Sequence, residues 1–346
     1  MKNVFRFARR AALCCWLAIG ATCCGCWSAA KHEVVVYCAL DREFAEPVLA
    51  DFEKQSGIRV LAKYDVESTK TVGLVQEIIQ EAERPRCDVF WNNEILHTLR
   101  LEKRGLLDVY VAPGAARFPA NYRSPDGHWH GLAARARVLI VNRDLVPPDQ
   151  RPKSVQDLLL PEWRGKVGIA KPLFGTTATH AAVLFSTWGD ERAQEFFRQL
   201  KRNVEIQSGN KQVATAVGRG QLAFGLTDTD DAIAEVDQGS PVEIIFPDQE
   251  EDGLGTLFIP NSLCVIRGSR NAEHARRLVD YLLTPAVETR LAEGASAQFP
   301  VNPDVSAAPR VKPESPIKWM QIDFAAAAEK WETAAKWLRD EFDAAP

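Results

Sequence analysis

The chain has 346 residues, 42 basic against 46 acidic side chains and a formal net charge of −4, with 46% hydrophobic residues. That length exceeds one comfortable hydrophobic core and implies two lobes, each burying its own sheet. The acidic balance makes nucleic acid a poor partner.

At the amino terminus Lys2, Arg6, Arg9 and Arg10 precede an uncharged apolar run from Ala11 to Ala30, the pattern of a secretory signal. Residues 1–30 are read as that signal. Ser28-Ala29-Ala30 suits cleavage before Lys31, while Cys23, Cys24 and Cys26 offer a lipid-anchor cysteine instead. A retained membrane anchor is the alternative, since the run is barely long enough to span a bilayer. Loss of the four positive charges takes the exported chain to −8. Five of the 8 cysteines go with the signal, leaving Cys38, Cys87 and Cys264 at long spacings. They form neither a disulfide framework nor a zinc motif and read as small buried apolar residues.

Beyond Lys31, β-branched runs alternate with amphipathic stretches. Val34 to Tyr37 predicts a strand, Glu43 to Gln55 a helix and Ile58 to Ala62 a strand. A helix from Lys70 to Arg84, a strand from Asp88 to Trp91 and a helix from Ile95 to Arg104 follow. The spacing argues for parallel strands with crossover helices. In such sheets ligands sit beyond the carboxyl ends of strands, here Cys38 to Asp41 and Trp91 to Glu94.

The run Ala133 to Asn142 predicts a long strand crossing between lobes, with Arg135 and Arg137 on one face. The second lobe repeats the alternation. It has a strand at Val167 to Ile169, helices after Gly175-Thr176-Thr177 and near Glu191 to Lys201, and a strand about Val204. A helix opened by Ser208-Gly209-Asn210 precedes the strand Leu222 to Leu226, which ends in Asp228-Thr229-Asp230-Asp231. After Val242 to Phe246, Leu257 to Ile266 predicts a return crossing, and two crossings make a hinge. Helices near Ala272 to Leu282 and Pro285 to Glu293 lead to an extended, proline-marked tail from Ala297 to Pro316. The final helix, Phe324 to Phe342, carries Trp331, Ala335 and Leu338 as its buried stripe. The lobes are expected to comprise 31–137 with 260–310, and 138–259 with 311–346.

Val34-Val35-Val36-Tyr37 followed by Asp41, then Asp88-Val89-Phe90-Trp91, Arg135-Ala136-Arg137-Val138 and Phe299-Pro300-Val301-Asn302-Pro303 occur in this order. In that order and spacing the chain resembles the ferric-ion-binding proteins of the bacterial extracellular solute-binding family, from Glu33 to past Pro303. The resemblance implies an α/β, two-lobed periplasmic-binding-protein-like fold of type II with two crossing strands as hinge. It implies a ligand, Fe3+, held in the cleft between lobes, delivery to the permease of an ABC transporter, a monomer, and no enzymatic activity. Typical iron binders place a His after the first strand, a Glu after the Asp-Val-Phe strand and two adjacent tyrosines on the second lobe. By register this sequence has Asp41, then Asn93 with Glu94 beside it, and Asp230-Asp231.

Asp41, Glu94, Asp228, Asp230 and Asp231 would converge as hard oxygen donors suited to a hard cation. Gathered carboxylates repel one another until a cation arrives, so the cation has a reason to close the cleft. Asp228 could instead only cap the following helix. Gly175, Thr176, Thr177 and Asn210 stand at helix starts able to hold an accompanying carbonate or phosphate, with Arg135 or Arg137 bidentate to it. Ordinary caps and an interlobe salt bridge are the plainer account. Trp91 beside the carboxylates suggests an organic cation such as a polyamine as an alternative ligand. His128-x-His130 is a minor metal candidate. An exported metal-dependent enzyme built on Asp228-x-Asp230-Asp231 is a second class, although no nucleophile elbow, phosphate loop or His-Glu-x-x-His accompanies it, and a ligand sensor signalling to a membrane receptor through the same lobes is a third.

Overall fold

The computed structural model describes residues 32–65, 71–311 and 316–343. The signal and its cleavage and anchoring sites, Lys70 of the second predicted helix, and residues 312–315 of the predicted tail lie outside the described residues.

Strands β1 (Glu33–Cys38), β2 (Arg59–Tyr64) and β3 (Val89–Asn92) are parallel, with β1 in the middle. Helices α1 (Arg42–Ser56), α2 (Val72–Gln80) and α3 (Leu96–Lys103) alternate with them. Helix α1 runs past Pro47 and stops at Gly57, whose φ of 70° is the left-handed value glycine adopts without strain. Strand β4 (His130–Asn142) starts three residues before the predicted run, and all 13 of its residues are buried.

The second lobe holds β5 (Val167–Ala170), α4 (Gly175–Trp188), α5 (Asp190–Asn203), β6 (Glu205–Gln207) and α6 (Asn210–Gly218). It continues with β7 (Phe224–Asp228), α7 (Thr229–Asp237) and β8 (Val242–Ile245). Strand β9 (Phe258–Val265) and helices α8 (Ala272–Leu282) and α9 (Pro285–Glu293) return to the first lobe, and α10 (Phe324–Asp343) closes the fold. Helix α4 is buried on every side from Gly175 to Phe185, built mainly from small and apolar residues, which suits a helix covered on several sides. Both α5 and α10 pack on it. Helix α5 is amphipathic instead, with Asp190 and Glu191 at its start and Lys201 and Arg202 at its end, each complementing the helix dipole. The stripe on α10 is Phe324, Ala327, Trp331, Ala334, Ala335 and Leu338, and it faces α4 and α3, one from each lobe.

The sheet runs in the order β2-β1-β3-β9-β4-β7-β5-β6, with β8 also on β4. Strand β4 changes partner midway, because His130 to Ala136 pair with β9 whereas Arg137 to Val141 pair with β7. The return crossing is narrower than the predicted Leu257 to Ile266. Most of β9 pairs with β3 and the first half of β4, so only Leu257 and Phe258 reach the changeover. In this two-lobed type II fold the change of pairing thus falls at Ala136-Arg137 and Leu257-Phe258.

One buried carboxylate fixes the start of β4. Ala133, at φ 34°, sits in an irregularity between Leu132 and Ala134. Glu288 accepts its N–H at 2.6 Å, and those of Val301 and Asn302 at 3.1 and 2.9 Å. Replacing Glu288 by Ala leaves three buried donors unmet and should cost about 3 kcal/mol in denaturant unfolding; an unchanged midpoint would show that water takes over these bonds.

Candidate functional site

The site forms where β4 changes partners, and its central groups are two arginines two residues apart. Arg135 and Arg137 are 2% and 0% exposed. A buried guanidinium is tolerable only beside a carboxylate. In the antiparallel pairing of β4 and β7, Arg137 lies opposite Asp228 and its Nη1 donates to Oδ1 at 2.7 Å. Arg135 Nε meets Asp230 Oδ2 at 2.9 Å, in the first turn of α7.

Asp228 occupies the N-cap position of α7 yet makes no side-chain cap bond. The capping alternative therefore fails, because both its oxygens are engaged elsewhere. Oδ2 accepts from Thr176 Oγ1 and from Asn210 Nδ2 at 3.0 Å. Arg137 also donates to Thr176, Thr177 and Asn210 at 3.1 to 3.3 Å. The plain-cap account of Gly175-Thr176-Thr177 and Ser208-Gly209-Asn210 fails in the same way: neither α4 nor α6 has a side-chain cap bond, and these side chains join one network with Arg137 and Asp228. Gly175 opens α4 at φ 53°, a conformation only glycine adopts easily.

Asp41 stands at the N-cap of α1 on the other lobe, partly exposed and without a side-chain cap bond. Burial pulls Arg135 down, but Asp230, Asp41, Asp228 and Asp231, in that order, outweigh it and hold the guanidinium above its ordinary range. Carboxylates from both lobes therefore act on one buried cation. Burial raises Asp228, but Arg137, then Arg135 and Thr176, more than reverse this, so its carboxyl lies below the usual range. Ligand oxygens of Asp228, Asp230 and Asp231 lie within 4.8 Å of one another. Beside Asp228 is a cavity of about 20 Å³, room for one ion-sized group, whereas Asp41, Asp230 and Asp231 are not among its lining residues. Asn93, Arg135, Asp228, Asn210 and the turn Gly175-Thr176-Thr177 line it, together with Lys171 and Phe174, which the sequence reading missed.

Glu94 is the expected ligand that the geometry does not support. Its carboxylate, 0% exposed, accepts from Asn92 Nδ2 at 2.7 Å, from the amides of Leu96 and His97, and from Thr179 Oγ1 at 2.8 Å. Four donors leave it no free lone pair toward the cavity, and Thr179 belongs to α4, so Glu94 ties the two lobes together. Its neighbour Asn93 takes the cavity-lining place, held by Thr71 Oγ1 at 2.8 Å. Trp91 is wholly buried in β3 and is not among the cavity's lining residues, so it offers no face to an organic cation. His128 and His130 part company, the first on Glu102 at 3.2 Å and the second on the Tyr110 carbonyl at 2.8 Å. Burial and then Arg137 push His180, behind the site, down to about 3, so it is neutral there.

The sequence model of the bacterial extracellular solute-binding protein family matches residues 97–328. The chain belongs to that family. This solute-binding protein is 27% identical over 199 residues to the Fe(3+)-binding periplasmic protein of Serratia marcescens, spanning 58% of this chain and 57% of that one. Its fold is similar to the apo ferric ion-binding protein A of Pasteurella haemolytica, with a TM-score of 0.79, 25% identity, and coverage of 90% and 98% of the two chains. A periplasmic binding protein of Actinobacillus pleuropneumoniae, solved with fructose-6-phosphate, shares the fold at a TM-score of 0.79 and 20% identity, over 90% and 99%. The family is one of binding proteins rather than enzymes, and among the described residues no helix is long and apolar enough to cross a membrane.

Removing Arg137 strands Asp228 as a buried charge. Arg137→Leu should cost about 3–5 kcal/mol at neutral pH. Because Asp228 titrates below its unfolded value, the stability it supplies is present above the ordinary carboxylate range and is lost as pH falls through the depressed value. The penalty should therefore shrink toward acid in pH-dependent unfolding; a constant penalty would mean that the pair is not ionic.

Proposed function

We propose that this solute-binding protein is exported, captures ferric ion with an accompanying anion between its lobes, and presents the closed form to the permease of an ABC importer. The observation that carries the reading is the cluster of Asp228, Asp230 and Asp231 oxygens within 4.8 Å. Hard oxygen donors without thiolate or imidazole suit a hard cation. Formal charge agrees with an anion as well. Four aspartates, with Asp41, face two arginines, so the site carries −2; a trivalent ion would overshoot to +1, which carbonate or phosphate at Thr176, Thr177 and Asn210 would offset. The ferric relatives of Serratia and Pasteurella support the choice of ion.

Lobes of 31–137 with 260–310 and 138–259 with 311–346 suit a hinge at the β4 changeover, and a monomer suffices because the site is built from one chain. Lipid anchoring through Cys23, Cys24 or Cys26 and cleavage after Ala30 are both compatible with export. A second reading, a phosphate-bearing solute, is favoured by one observation, the buried Arg135 on the cavity wall. A relative of the same fold holds a sugar phosphate.

One scattering experiment separates them. Adding ferric nitrilotriacetate should compact the metal-free protein, and Asp230→Ala with Asp231→Ala should abolish the compaction while far-UV dichroism is unchanged. Compaction by fructose-6-phosphate without metal, undiminished in the double variant, would reverse the order of the two readings.

A further inference from the structure

A groove of about 370 Å³ opens where α2, α3 and α10 meet the chain from Lys171 to Phe174. Leu173, Phe174, Trp331 and Ala335 give it an apolar floor. Two guanidinium groups stand on that floor, Arg100 from α3 and Arg339 from α10. Among the described residues neither has a hydrogen-bonded or ion-paired carboxylate, and Arg100 Nε is buried with no partner at all. Lys171 nearby is already engaged with Asp343, and the His97 ring lies against Glu94. Burial and then the like charge of Arg104 push Arg100 below its ordinary range, with Arg339 adding weakly and Glu332 and Glu94 acting the other way. Glu332 and Asp343 also line the groove, but among the described residues neither forms an ion pair with Arg100 or Arg339, so the partly buried charge of Arg100 is one that an anionic ligand would offset. The groove's volume and its apolar floor with a few converging polar groups are those of a small-molecule site.

We propose that this groove is a second ligand site, for a small multiply charged oxyanion whose two ends engage Arg100 and Arg339. Lys171 and Phe174 line both this groove and the carboxylate cavity, so the two sites share one wall. Arg100 comes from the first lobe and the 171–174 segment from the second, so an occupant would bridge the lobes and favour the closed form. A polyphosphate and a tricarboxylate present the same chemistry.

Calorimetry on the metal-free protein with pyrophosphate, and separately with tricarballylate, tests the site and tells the two sources apart. At least one should bind, and Arg100→Gln with Arg339→Gln should weaken it tenfold or more, while Thr176→Val with Asn210→Ala leaves it within twofold. Arg339→Gln alone, an exposed change that spares the core, should still weaken it severalfold. No heat with either anion, unaltered binding in the arginine variants, or loss only in the cavity variant would overturn the proposal. Ferric-induced compaction should survive in the arginine variants, so a failed groove and a failed ion site give different results.

Discussion

Burying a guanidinium without a counter-charge is too costly for a folded chain, and this protein buries two, side by side on one face of the strand that joins its halves. The end of β7 and the start of α7 are fixed by that need. Asp228 must sit opposite Arg137, which antiparallel pairing provides, and Asp230 must lie two residues on to reach Arg135. Thr176, Thr177 and Asn210 arrive from two further helix starts and satisfy what the ion pairs leave over. The donors that a ligand would use are therefore held in place before it comes, which keeps the ordering cost of binding low.

The same arrangement links the two lobes through charge. Asp41 belongs to the first lobe and the Asp228 to Asp231 run to the second, yet both act on Arg135. Arg135 lies on the first-lobe side of the β4 changeover with Asp41, so its pair with Asp230 is the one that crosses between the lobes. The Glu94 carboxylate adds a hydrogen-bonded link through Thr179, and α10 lies across α3 and α4. Under the proposed function, a cation among these aspartates would favour whichever arrangement of the lobes brings Asp41 and the Asp228 to Asp231 run together.

Much of this was legible in the residues. Alternating apolar runs located nearly every strand and helix, because buried parallel strands and amphipathic helices leave different periods in the sequence. The Asp228 to Asp231 run stood out because acidic residues at a strand end rarely serve packing. The pairing was not legible: Arg-x-Arg and Asp-x-Asp both have the two-residue period of one strand face, but only the β4–β7 register shows that they meet. Glu94 misled for a local reason. A carboxylate two residues before a helix can turn back onto the first amides, as it does with Leu96 and His97, and nothing in the sequence distinguishes that from a ligand. Lys171 and Phe174 gave no signal, since a loop residue reaches a cavity only through tertiary placement.

All of this depends on aspartate oxygens, held by Arg135 and Arg137, being the groups that meet the ion. X-ray absorption at the iron edge of the ferric-loaded protein tests that directly. The account predicts a first shell of oxygen scatterers with the short-path signature of carboxylates. Imidazole multiple scattering, or a sulfur shell, would contradict it, because no histidine or cysteine belongs to the described cavity.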